Sequence, residues 1–159
     1  MFYEPRNGHG LPHNPSKAIV APRPIGWIST LSRDGVANLG PYSFFNLVAD
    51  SPLMVMFSSD GMKDSARNAL DTGEFVANLA SMDLAEAMNA SSINAPADVS
   101  EFDHAGIEMA PSRIVKAPRV AAAHAALECR LTQAFHPKDA AGNEIENFVV
   151  FGEVVGVYL

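Results

Sequence analysis

The chain has 159 residues, 48% of them hydrophobic and 18% charged, enough for one domain with a sizeable core, too few for two, and too apolar for wholesale disorder. Eleven Lys and Arg against eighteen Asp and Glu give a formal charge of −7, which argues against non-specific binding to nucleic acid or to an anionic membrane surface. The single cysteine, Cys129, excludes an internal disulfide, a four-thiolate zinc site and an iron-sulfur cluster, and a reducing, cytoplasmic setting fits best; with His9 and His13 kept off a common helical face, no metal centre is expected.

Met1 to Pro15 is rich in Gly, Pro, Asn and His and reads as an extended arm; its first ten residues contain no apolar run that would serve as a secretory signal or membrane span. Residues 1–20 are therefore taken as an N-terminal arm and 21–159 as the domain. Pro24 to Ser32 alternates as a strand, with Trp27, Ser29 and Leu31 on one face and Ile28 and Thr30 on the other. Asp34-Gly35 predicts a hairpin turn, and Val36 to Gly40 returns as the second strand.

Pro41 to Asn46 reads as an aromatic-rich connection, and Leu53 to Phe57 as a short buried strand. A helix follows over Asp64 to Thr72, with Ala66, Ala69 and Leu70 on one face and Gly73 at its C-terminal stop. Glu74 to Ala80 has strand chemistry, Leu84 to Ala90 is helical, and Ser91 to Pro118 is irregular. His124 to Phe135 and Phe148 to Leu159 are long apolar strands flanking a turn-rich segment, an arrangement that predicts antiparallel pairing, with Gly152 and Gly156 marking bulges or bends. Six strands and two short helices argue for a mainly antiparallel barrel with helices outside it. The chain stops in strand character, which leaves room for a longer natural polypeptide.

Common ligand motifs are absent. There is no phosphate loop of the G-x-x-x-x-G-K type, Gly8-His9-Gly10 lacks the strand and third glycine of a dinucleotide fingerprint, and Gly10 and Pro12 keep His9 and His13 off a common helical face. The chemistry concentrates between Arg23 and Arg67. Lys63, at the entry of the predicted helix, offers a point charge; Ser58, Ser59 and Ser65 offer hydroxyls, and the helix start offers free N–H groups for a phosphate. Asp64 opposes that charge unless it caps the helix or pairs with Lys63 or Arg67. Trp27, Tyr42, Phe44 and Phe45 can wall a flat ring, with Ser29, Thr30, Ser43 and Asn46 as polar contacts. The plain alternative is that Trp27, Phe44 and Phe45 are core residues and Lys63 is solvated. Alternation in an extended turn predicts one of the two phenylalanines in the core and the other at the ligand.

Arg23-Pro-Ile-Gly-Trp-Ile-Ser-Thr30, Asn38-Leu-Gly-Pro-Tyr-Ser-Phe-Phe-Asn46, Lys63-Asp-Ser65, Thr72-Gly-Glu-Phe-Val-Ala-Asn78 and Leu127-Glu-Cys-Arg-Leu131, in that order, resemble the flavin reductase-like family of FMN-binding split-barrel proteins. Ser100-Glu-Phe102, Gly106 and the Arg113 to Arg119 stretch are similar to the same family. The resemblance implies a six-stranded antiparallel split β-barrel with short flanking helices, a homodimer, and non-covalent FMN, with Lys63-Asp-Ser65 standing where the family has Lys-Asp-Thr. It further implies electron transfer from NADH or NADPH to free flavin or a partner oxygenase, with no dedicated acid-base residue. The alternatives are an FMN electron carrier reduced by another protein, and a non-catalytic ligand-binding module.

Overall fold

Alternating apolar residues along the predicted strands assemble into one antiparallel sheet. In the computed structural model, which describes residues 1–159, the strands are β1 (Gly26–Leu31), β2 (Ala37–Tyr42), β3 (Phe45–Asp50), β4 (Leu53–Ser59), β5 (Glu74–Leu79), β6 (Met109–Ala110), β7 (Arg119–Val120), β8 (Ala126–Phe135) and β9 (Phe148–Tyr158). The helices are α1 (Ser16–Ile19), α2 (Asp64–Thr72), α3 (Ala85–Ala90) and α4 (Glu101–Ala105). None is long and apolar enough to cross a membrane.

Seven strands run in the order β2-β1-β5-β8-β9-β4-β3, while β6 and β7 form a separate pair. The free margins, β2 and β3, are consecutive in the chain but not hydrogen-bonded to each other; the Ser58 N–H reaches the Phe44 carbonyl across the turn at 2.8 Å. The result is a split barrel with one strand more than the six expected. That strand is β3, which occupies part of the segment read as a connection: only Ser43 and Phe44 make the turn, and Phe45 already pairs with Phe57. The irregular segment 91–118 also holds α4 and β6.

The turn chemistry explains the connections. Gly35 adopts φ 84°, and the Ser32 and Val36 backbones close the β1–β2 hairpin at 2.9 Å. The β8–β9 register shifts twice, beside Gly156 and opposite Gly152, placing bulges near both glycines. At Gly152 a side chain has no room, because a Cβ there would lie 2.5 Å from the Phe75 ring.

Three apolar clusters hold the barrel. Ile28, Phe57, Phe75, Cys129 and Val150 fill the interior with Ala66 and Ala69 of α2, whereas Leu70, expected on the same helical face, is 47% exposed. Trp27, Leu39, Phe102 and Val120 cover the outer side of β1 and β2, and Val76, Val115, Ala117 and Ala126 cover β5 and β8. Cys129 lies fully buried, where burial drives its thiol far above the ordinary range and keeps it inert.

The loop carrying Val115 is tied down by Glu128. Burial alone would raise the Glu128 carboxyl, but N–H groups of Arg113, Ile114 and Val115, at 2.9, 2.7 and 3.2 Å, outweigh it and hold the pKa below the usual carboxylate value. Because the folded pKa is depressed, this contribution is present above the unfolded carboxylate pKa and is lost as pH falls through the folded one. Glu128→Gln should cost about 1–2 kcal/mol at neutral pH. Urea titrations at neutral and acidic pH should show that the variant loses less further stability on acidification than wild type.

Candidate functional site

The end of β2, the Ser43-Phe44 turn, the end of β4 and the start of α2 meet at one place, and two adjoining cavities open there. The larger, about 510 Å³, runs between β2 (Asn38 to Tyr42), the α2 entry (Met62 to Ser65), Glu101 and the segment 91–95. The smaller, about 340 Å³, lies between Ser43, Phe44, Ser58, Asp60 and Asn147, with Lys17 of the arm. Pro41, Tyr42 and Lys63 belong to both walls.

Lys63 stands immediately before α2 with extended backbone angles, φ −77° and ψ 170°. Its carbonyl accepts the Arg67 N–H at 2.9 Å, which leaves the N–H groups of Asp64, Ser65 and Ala66 without partners inside the helix. Asp64 is paired with Arg67 at 3.0 Å, so the acid beside Lys63 is already neutralised, and Lys63 itself is exposed and forms no salt bridge. A cation, free N–H groups and the positive end of a nine-residue helix thus converge where the two cavities join.

Behind this cradle lies a buried polar network. The Glu101 carboxylate accepts the Asn38 side-chain N–H at 2.9 Å and the Leu39 N–H at 2.9 Å. The Asn38 side-chain oxygen in turn accepts the Ser65 hydroxyl at 2.5 Å and the Thr30 hydroxyl at 3.4 Å, and Thr30 Oγ1 accepts from Asn68 at 3.1 Å. Burial raises the Glu101 carboxyl pKa, although the Leu39 N–H opposes the shift. Burial likewise raises the Tyr42 phenol, which stays protonated at neutral pH as a donor between the cavities.

Of the residues that the sequence grouped together, the structure brings Tyr42, Ser43, Phe44, Ser58, Lys63, Asp64 and Ser65 to these two cavities. The expected division between the two phenylalanines is present in the packing: Phe45 lies against the interior cluster, over the open face of Gly26, while Phe44 is 46% exposed on the cavity wall. Ser65 lines the larger cavity, but its proton is committed to Asn38, so it is not a free donor for a phosphate.

Five positions fall elsewhere. Trp27, Ser29 and Thr30 are fully buried because both faces of β1 are covered. Trp27 donates its indole N–H to Ser91 Oγ at 2.9 Å, and Ser29 is held between Asn78 and the Pro118 carbonyl. They brace the walls from behind and line neither cavity. Ser59 is fully buried with no hydrogen-bond partner for its hydroxyl, and Asn46 faces outward on β3, its side-chain oxygen taken by the Leu47 N–H at 2.9 Å. The residues that periodicity missed are Asn38, Glu101 and the 91–95 wall. Ser100 and Gly106, bracketing Glu101 to Ala105 as start and stop residues, were the available signal for α4; Gly106 has φ 64°.

The model of the flavin reductase like domain family matches residues 20–159. An uncharacterized protein of Aquifex aeolicus is 44% identical over 118 residues, 71% of this chain and 60% of that protein. Among solved structures, 2-nitrobenzoate 2-nitroreductase of Pseudomonas fluorescens is similar with a TM-score of 0.78 and 30% identity, over 88% of this chain and 66% of that one. Nitrilotriacetate monooxygenase component B from Bacillus cereus is similar with a TM-score of 0.83 and 28% identity, over 96% and 82% respectively. The chain spans about 60% of the length of the curated relatives it matches.

Proposed function

This chain belongs to the flavin reductase-like family, and on that premise we propose that it is a flavin-dependent oxidoreductase that binds FMN and passes electrons from NADH or NADPH to free flavin or a partner oxygenase. The observation that carries the reading is Lys63: an exposed, unpaired cation at the start of α2, beside unbonded first-turn N–H groups, at the junction of two cavities. That combination suits a phosphate dianion with a larger ligand body attached. At about 510 and 340 Å³ the cavities fall within the range of cofactor sites. The likeness to a monooxygenase component favours an oxygenase as acceptor.

FMN, when bound, supplies the redox chemistry by accepting and releasing two electrons. The chain's part is placement. Lys63, the α2 N–H groups and the Ser58 hydroxyl hold the phosphate; Phe44 gives the ring an apolar wall; Tyr42 and the Ser43 turn provide donors to its polar edge. No side chain is assigned as acid or base. A homodimer that covers part of this site belongs to the same proposal.

Lys63→Ala should weaken FMN binding by about 1–3 kcal/mol and leave riboflavin binding unchanged. Fluorescence titration of the apoprotein with both ligands checks this, and equal weakening of both would remove Lys63 from the phosphate site. Steady oxidation of NADH or NADPH on addition of free flavin separates a reductase from a carrier that another protein reduces.

A further inference from the structure

The smaller cavity contains a second lysine that family resemblance did not bring forward. Lys17, on α1 of the N-terminal arm, lines it together with Lys63, and neither lysine forms a salt bridge. Asp60 is the one acidic residue in this wall. Outside the wall, the Arg23 guanidinium lies 5.6 Å from the centre of the ring of Phe44, a wall residue, with Nη1 buried and lacking a hydrogen-bond partner. A chain of formal charge −7 has carboxylates in excess, yet here it gathers two lysines in one cavity wall, with Arg23 against Phe44 of that wall, and leaves them without carboxylate partners. Like charges brought together repel unless an anion joins them, so the arrangement points to an anionic ligand group.

We propose that Lys17 is a second phosphate-binding cation, and that the N-terminal arm is thereby part of the ligand site. The proposal rests on the FMN reading for the position of the phosphate, but it concerns a different residue and a different segment. The recognised chemistry is a phosphate ester bridged between Lys17 and Lys63. Its source is the flavin's own phosphate or that of a nicotinamide dinucleotide.

The test uses the full chain and the variants Lys17→Ala, Lys17→Arg and Lys63→Ala, titrated with FMN and riboflavin, and with ADP-ribose added to flavin-loaded protein. Lys17→Ala should bind FMN roughly tenfold more weakly while riboflavin affinity holds, the ratio should recover in Lys17→Arg, and the loss should shrink at high salt. FMN, but not riboflavin, should protect the arm of the wild type from chymotrypsin. If the FMN-to-riboflavin ratio is unchanged but ADP-ribose binds roughly tenfold more weakly to Lys17→Ala, Lys17 grips the second ligand's phosphate and the assignment stands. Wild-type affinity of Lys17→Ala for FMN and ADP-ribose alike overturns it. If Lys63→Ala still loses FMN in that case, the FMN reading survives alone; if Lys17→Ala loses FMN and Lys63→Ala does not, the reading based on Lys63 falls instead.

Discussion

Glu101→Ala should lower the unfolding free energy by about 2–4 kcal/mol, because it strands two kinds of buried donor at once. The Asn38 amide and the Leu39 N–H both end on this carboxylate, which is 5% exposed. Alanine leaves them facing the larger cavity, where water recovers only part of the lost bonding. Glu101→Gln keeps the volume and one acceptor but sets its own NH2 against that of Asn38, and should cost about 1–2 kcal/mol. Urea unfolding of both variants checks the order.

The pH dependence supplies a second readout. Since burial raises the folded pKa of Glu101 above its unfolded value, the folded state takes up the proton first. Stability from this group therefore rises as pH drops through the folded pKa, opposite in sign to Glu128, and Glu101→Gln should abolish that rise. An Ala variant as stable as wild type would show that the Glu101–Asn38–Ser65 chain is not what fastens α4 to β2.

Gly152→Ala should cost about 1–3 kcal/mol through overpacking. The new methyl would sit 2.5 Å from two atoms of the Phe75 ring and 3.1 Å from Cys129 Cβ, and neither neighbour has space to retreat. Phe75 is fully buried and meets Phe57 edge to face at 5.3 Å, so displacing it disturbs the interior cluster. Phe75→Leu alone opens space and also destabilises, but combined with Gly152→Ala the two should offset each other. A double-mutant cycle by thermal or urea unfolding should return a favourable coupling; strict additivity would mean that the ring and the glycine do not contend for the same volume.

What the sequence made legible was local. Asp34-Gly35 marked the first hairpin, Gly73 the end of α2, where φ is 75°, and the two long apolar runs became β8 and β9. β3 escaped because it is a margin strand: Asn46, Leu47 and Val48 are successively exposed, so no period of two survives in its pattern. Trp27, Ser29 and Thr30 line neither cavity because β1 is covered on both faces, which alternation, setting Trp27 and Ser29 opposite Thr30, does not reveal. Lys63 and its neighbours were readable from their place at a helix start. Glu101 was not, since its partners Asn38 and Leu39 lie 63 and 62 residues away and meet it only through the fold.

The Glu101 contact with Leu39 also bears on how copies of this chain avoid sticking to one another. β2 is an outer strand, and its unpaired side would ordinarily template an incoming strand from a neighbouring molecule. Because the Leu39 N–H points away from β1 to Glu101, alternation directs the backbone of Pro41 to the same side, and proline has no N–H to offer. An intruding strand would find one donor already occupied and the next one missing. The same carboxylate that props up a cavity wall therefore helps guard the sheet against runaway strand-on-strand growth along this margin.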